Sequence, residues 1–246
     1  YRQHNCNGVI AVGGGSATDS AKTIAIMAGQ TGDLWDYEDV GDNFTKLDPS
    51  GIAKSIAIPT TSGTGACVGR AALIVDDTTH SKRFIFHPDM MPNYVIADPG
   101  LTLGLPPMLT AATGMDALAH NLEAYCAKGF HPMADGIALE GMRLIKEWLP
   151  IAVKDGSNIE ARTQVMAASI MGGTAFQKGL GAVHSLSHPI GAIYDLHHGF
   201  LNAVFMPYVV AFNKTAIPER LDRLAHYLNL KNADAVVTWL SDLNKQ

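Results

Sequence analysis

Cysteine is scarce in this sequence: Cys6, Cys67 and Cys126 are the only three in 246 residues. They lie far apart, are odd in number and form no Cys-x-x-Cys pair. That argues against a disulfide framework or a thiolate-zinc centre, and it points to a reducing compartment, so a cytoplasmic location is expected. Basic charge is also in short supply. Lys and Arg total 18 against 23 Asp and Glu, a net charge of −5, and there is no basic block. Nucleic acid and anionic membrane surfaces are therefore not expected as partners. No apolar run is long enough to span a bilayer, and neither an internal repeat nor a low-complexity segment is present. The chain opens on Tyr-Arg-Gln-His and passes at once into a buried-strand pattern, and its tail keeps a helical pattern without a stop signal. A fragment lacking both natural ends is the expectation.

What is present falls into two halves. Residues 8–12 (Gly-Val-Ile-Ala-Val) and 54–59 (Lys-Ser-Ile-Ala-Ile-Pro) read as short buried strands, and 70–75, 82–86 and 94–97 as further ones. A helix is expected over about 17–28. The polar stretch 30–50 reads as a loop with one helical turn. From Pro106 the strand signals stop, and helices are expected at about 106–128, 132–153, 159–178, 183–194 and 199–212, with a helical tail from Ile217. Gly172-Gly173 would allow close helix contact in a buried helix. The pattern predicts an α/β part over 1–104, a Rossmann-like open parallel sheet, followed by an all-helical part over 105–246.

Three stretches carry chemistry. Gly13-Gly14-Gly15-Ser16 stands between a strand and a helix, where backbone N–H groups and a helix N-terminus can face a phosphate. It is not the common dinucleotide fingerprint, because position 18 is Thr. A tight strand-to-helix turn explains it almost as well, with Asp19 and Lys22 as solvated residues. Thr60-Thr61-Ser62-Gly63-Thr64-Gly65 follows a second strand, and two such loops suggest one crevice at the carboxyl ends of an open sheet. The third stretch, 183–199, holds His184, His188, His197 and His198. His184 and His188 share a helix face, as do Asp116 and His120 upstream. A carboxylate and several imidazoles at these spacings suit a divalent metal. Satisfied core or capping histidines remain the plainer alternative. Glu123, one turn past His120, reads as a helix-surface charge in preference to a hydrogen-bond acceptor beside the ligands.

Taken together, five blocks resemble the iron-containing (group III) alcohol dehydrogenases, a family with dehydroquinate synthase-like architecture. They are Gly13-Gly14-Gly15-Ser16-x-x-Asp19-x-Ala21-Lys22; Pro59-Thr60-Thr61-Ser62-Gly63-Thr64-Gly65; Asp98-Pro99-x-Leu101-Thr102-x-x-Leu105-Pro106; Gly114-x-Asp116-Ala117-x-x-His120-x-x-Glu123; and His184-x-x-x-His188-Pro189-x-Gly191 with His198-Gly199. The resemblance implies that Asp116, His120, His184 and His198 hold Fe(II), with Zn(II) as the alternative. It implies that His188 stands beside the metal as a catalytic proton relay, with a pKa in the working range. It also implies that Gly14, Gly15, Ser16, Asp19, Thr60, Thr61, Thr64 and Lys82 bind NAD or NADP, with Lys82 near the ribose. The implied reaction moves a hydride between a small primary alcohol or diol, or its aldehyde, and the nicotinamide, with the pocket near Phe130, His131, Phe176 and His188. A homodimer is implied too. Ala66-Cys67 stands where many relatives carry Ser-Glu, and Gly69 where many carry Thr, which alters finer contacts to the cofactor. The residue that chooses NAD over NADP would lie before Tyr1. Other enzymes of the superfamily (maleylacetate reductase-like or glycerol dehydrogenase-like), a metal hydrolase using the same ligands, and an inactive truncated chain are the alternatives.

Overall fold

The computed structural model describes residues 1–79 and 81–246. Strand β1 (Gly8–Gly13) pairs in parallel with β2 (Lys54–Pro59), from Gly8 opposite Lys54 to Gly13 opposite Pro59. The short β5 (Tyr94–Val95) extends the sheet on the far side of β2, giving the order β1-β2-β5. Parallel neighbours need a long crossover. Helix α1 (Gly15–Met27) and the stretch after it supply that crossover. This stretch is more structured than the sequence suggests. It carries three short 3-10 turns, at Leu34–Tyr37, Asn43–Lys46 and Pro49–Gly51. Tyr37 and Leu47 from it are buried with Ile26 and Ile85.

The other two expected strands exist but do not join the parallel sheet. β3 (Ala71–Asp76) and β4 (Ser81–Phe86) form a separate antiparallel hairpin. Strand propensity says nothing of the partner, but the interval does. Only four residues separate Asp76 from Ser81, too few to cross back into a parallel ladder. The Asp76 carboxylate accepts from the Thr78 amide and starts the reversal. Asp19 and Lys22 anchor the hairpin and are buried, contrary to the solvated reading. Lys22 Nζ donates to the carbonyls of Ala66 and Ala71 and pairs with Asp19 Oδ1 at 3.0 Å, while Asp19 Oδ2 accepts from the Leu73 amide.

Seven helices follow: α2 (Pro107–Cys126), α3 (Pro132–Lys154), α4 (Ile159–Ala175), α5 (Ala182–Tyr194), α6 (His198–Asn213), α7 (Pro218–Tyr227) and α8 (Ala233–Leu243). Helix α4 ends three residues earlier than expected, in a 3-10 turn over Phe176–Lys178. The tail divides in two because Asn229 adopts a left-handed conformation and Asn232 caps the next helix. Helix α2 is the axis of this half. It is buried almost all round, packed by α3, α4 and α6, and its sequence is mostly apolar apart from the stripe that carries Asp116, His120 and Glu123. The main core of leucine, alanine and methionine side chains surrounds it. No helix of the described residues is long and apolar enough to cross a membrane.

Candidate metal and nucleotide site

Helix α2 places Asp116, His120 and Glu123 on one stripe by their spacing of four and three, and all three are buried. Helix α5 brings His184 and His188 to the same place, and α6 brings His198. Gly199 makes the last approach possible: a Cβ there would lie 2.1 Å from the carbonyl oxygen of Ala112. His198 is the first residue of α6 rather than a residue before it.

Ligand atoms of Asp116, His120 and His184 all lie within 4.8 Å of one another. Asp116 Oδ1 stands 3.8 Å from His184 Nε2 and 3.5 Å from His198 Nε2. Ligands held about 2.1 Å from a tetrahedral ion lie roughly 3.4 Å apart, so the donor set fits a divalent cation with little movement. Hydrogen bonds already aim the rings. His120 Nδ1 lies 2.8 Å from the Asp116 carbonyl oxygen, which makes it the N–H nitrogen and leaves Nε2 as the free lone pair. His184 Nδ1 is hydrogen-bonded to Glu123, so its Nε2 faces Asp116. His188 lies further out. Its ring packs against His184 and His198, at centroid distances of 5.6 and 5.0 Å, and against Phe84 of β4.

Electrostatics favour the ligand forms of three of the four groups, a charged Asp116 and neutral His120 and His198. Burial opposes ionisation of Asp116, but His120, His198 and His184 outweigh it and hold the carboxyl well below the usual range. Burial pushes His120 down to about 4 despite Asp116, and burial and neighbouring His184 and Lys82 also lower His198. His184 differs. Burial disfavours its charge, yet Asp116 and Glu123 on either side raise it to about 9. His188 is driven down to about 3 by burial, His198, His184 and Lys82. It does not titrate in the neutral range, as its ordinary value suggested, and is a neutral imidazole at pH 7.

Sequence reasoning missed two residues. Asn202 is fully buried on α6, and its Nδ2 lies 2.8 Å from Asp116 Oδ1 and 3.0 Å from His198 Nε2, while its Oδ1 has no partner. Its spacing of four from His198 was the available signal. Glu123 is not a surface charge. It is buried, and its carboxylate accepts from the amides of Val183 and His184 besides the His184 ring.

The same cluster opens into a crevice of about 440 Å³ lined by Gly14, Gly15, Ser16, Thr61, Thr64 and Lys82. Pockets for small ligands are typically about 300–1,000 Å³, and this crevice falls within that range while joining the loop end to the histidine end. Helix α1 starts at Gly15, so its unpaired amides face the crevice. Thr64 Oγ1 reaches to 3.4 Å from Asp116 Oδ2, which joins the loop end to the histidine end. Thr60 does not line the crevice; its amide donates to the Gly13 carbonyl and ties the two loops together. Asp19 is on the wall, but its carboxylate is taken up by Lys22 and Leu73. Phe176 packs on His120 inside the crevice. Phe130 and His131 do not belong there: Phe130 is 94% exposed, and His131 caps α3 through the Ala134 amide.

Comparison with known proteins agrees with this geometry. The family model described as Fe-containing alcohol dehydrogenase, C-terminal, matches residues 110–246, and that described as iron-containing alcohol dehydrogenase matches residues 1–99. A 4-hydroxybutyrate dehydrogenase of Cupriavidus necator is 44% identical over 99% of this chain and 65% of its own length. An NAD-dependent methanol dehydrogenase of Bacillus methanolicus is 42% identical over 93% of this chain and 59% of its own. The crystal structure of a sulfoacetaldehyde reductase from Bifidobacterium kashiwanohense in complex with NAD+ superposes with a TM-score of 0.92 at 33% identity, covering 99% of this chain and 64% of that one. The chain thus spans about two thirds or less of the relatives it matches, and it belongs to the iron-containing alcohol dehydrogenase family.

Proposed function

We propose that this protein is a metal-dependent alcohol dehydrogenase that passes a hydride between a small primary alcohol or diol, or the matching aldehyde, and NAD or NADP. Asp116, His120, His184 and His198 would hold the divalent ion, Fe(II) or else Zn(II). One observation carries the reading: the Asp-His-His-His cluster opens into the same crevice as two small-residue loops at strand ends, with Thr64 reaching Asp116 between them. A hydrolase would need the cluster and leave both loops without a role. The relatives named above act, by their names, on 4-hydroxybutyrate and methanol, both with a primary hydroxyl.

A divalent cation in this cluster supplies positive charge that favours loss of an alcohol's hydroxyl proton, and a nicotinamide supplies the hydride acceptor. The chain's own part is placement. The amides of Gly14, Gly15 and Ser16 and the hydroxyls of Thr61 and Thr64 offer donors to a pyrophosphate. Lys82 brings a cation to the cofactor from β4. Asp19 holds the hairpin that carries Lys82, and Thr60 holds the two loops together. His188, whose ring stands beside His184 and His198, is the proposed proton relay. Burial and the neighbouring cations lower its basicity, so it would pass a proton along and not hold it. Phe176 and Phe84 wall the space beside His120 and His188.

The two-part division at residue 104 is supported by the last strand ending at Val95 and the run of seven helices starting at Pro107. Free cysteines support a cytoplasmic setting, and the family resemblance supports a homodimer. The test is metal content on protein purified without oxygen, together with alcohol-dependent reduction of NAD+ and NADP+. About one equivalent of iron or zinc, lost in His184→Ala along with turnover, is expected. No bound metal after reconstitution would overturn the reading.

A further inference from the structure

Glu123 is the least expected member of the cluster. It sits one turn beyond His120 on α2 and is 5% exposed. A buried carboxylate normally takes a Lys or Arg partner, yet among the described residues its one ion-pair partner is His184. Its remaining acceptor capacity goes to backbone: Oε1 accepts from the Val183 amide at 2.7 Å and Oε2 from the His184 amide at 3.3 Å. Both amides belong to the first turn of α5, where intrahelical partners are lacking and negative charge is favoured. One carboxylate therefore fixes where α5 begins and how the His184 ring is turned.

We propose that Glu123 is a positioning residue for the metal: by holding the proton of His184 on Nδ1 and anchoring the start of α5, it presents the Nε2 lone pair to the ion beside Asp116. This rests on the metal-site reading above and adds a residue that never touches ion, cofactor or substrate. Glu123→Gln is nearly isosteric but has one acceptor oxygen for three N–H groups, and its amide would face a donor. The ring then loses its charged partner and is free to turn.

The test is titration of the metal-stripped full chain with Zn2+ against a competing chelator. Loss of such a partner typically weakens metal affinity about 10–100-fold, and that drop is expected for Glu123→Gln, with the melting temperature of the metal-free variant followed in parallel. A purely structural role would predict the same drop whether or not His184 is present. In a His184→Ala background, the second substitution is expected to change Zn2+ affinity less than about twofold, because the two act as one unit. Native-like affinity in Glu123→Gln, or an equal drop in both backgrounds, overturns the proposal. If the variant does not fold, 15N NMR of the native zinc-loaded protein decides: a protonated Nδ1 and a metal-shifted Nε2 on His184 support it, and the reverse tautomer overturns it. A native chain that binds no Zn2+ removes the metal reading and this inference together; a native chain that binds while the variant binds equally removes the inference alone.

Discussion

The two ends of the crevice are made from different chemistry. At the histidine end, four side chains from three helices converge, and three of them are aimed by a further group: His120 by a carbonyl of its own helix, His184 by Glu123, Asp116 by Asn202. At the loop end, the residues are glycine, serine and threonine, and the donors are backbone amides at the start of α1. A site of imidazoles and a carboxylate depends on which residues stand there. A site of amides depends on the path of the chain, and many side chains would serve. The two ends should therefore fail differently when altered, and substitutions can separate them.

The largest effect is expected at the histidine end. Asp116→Asn removes the anion that faces His184 and His198. Dehydrogenase turnover should fall by about 10³-fold, the scale lost with a principal electrostatic group, along with metal content. NADH binding, followed by fluorescence, should survive. Loss of both together would mean that the two ends are not separable.

A second contrast concerns what holds each half rigid. In the helical half, Asp135 is 8% exposed and bound by Lys178 Nζ and Arg220 Nη2, each at 2.7 Å. In the α/β half, a partly exposed Arg83 pairs with the partly exposed Glu38 and with the buried Asp76. Asp135→Asn takes the anion from Lys178, whose side chain is 3% exposed, and breaking such a buried pair costs about 3 kcal/mol. Arg83→Gln leaves Asp76 still accepting from the Thr78 amide and Glu38 open to solvent, so Asp135→Asn should lower the melting temperature further. Burial raises the Asp135 pKa, but Arg220 and Lys178 outweigh it and the net shift is downward. Its stabilisation is therefore present above the unfolded value of about 3.9, and is lost as pH falls through the lower folded value. The gap between native and variant melting temperatures should stay constant from neutral pH to about 5 and close below about 4. A gap that closes at higher pH would show that the network is not what stabilises this half.

At the loop end the informative residue is Gly13. Its φ is +147°, and a Cβ there would lie 2.7 Å from the Ala17 Cβ. Gly13→Ala strains the turn that delivers the amides of Gly14 and Gly15, at a cost of about 1–3 kcal/mol. NAD+ affinity should weaken by roughly 10–30-fold, while metal content stays at the native level. A loss of metal instead would show that the loop supports the histidine end through Thr64.

How much of this could be read in the sequence follows the same divide. The helices around α2 were legible because proline openings and apolar periodicity mark them locally. The clustering of Asp116, His120 and His184 was legible because a carboxylate and imidazoles stand at helical spacing in apolar helices. The hairpin was half legible: residues 70–75 and 82–86 read as strands, but their partner depends on the turn at Asp76. Glu123 was misread because a carboxylate one turn from a ligand looks the same on a surface as in a core. Only the arrival of α5, from 60 residues away, tells the two apart. Asn202 was overlooked for a similar reason, since its neighbours come from α2 and α5. Phe130 and His131 were placed in the pocket on sequence proximity to α2, whereas the turn before α3 directs them outward.

The smallest effect is expected at Lys82, a cation reaching into the crevice from the hairpin. It stands two residues from Phe84, on the same face of β4, and both line the crevice. Lys82→Met keeps most of the stem and removes the charge. A single, partly exposed charge acting on a bound nucleotide contributes modestly and is screened by salt. NAD+ affinity should fall by about three- to fivefold at low ionic strength, and the difference should shrink at about 0.5 M salt, where the screening length is only a few ångströms. Gly13→Ala, by contrast, acts through geometry, and its effect should not depend on salt. If the Lys82 effect proves salt-independent as well, the lysine acts by packing against the crevice wall. The loop end would then be a site of shape alone, set against a histidine end made of charge.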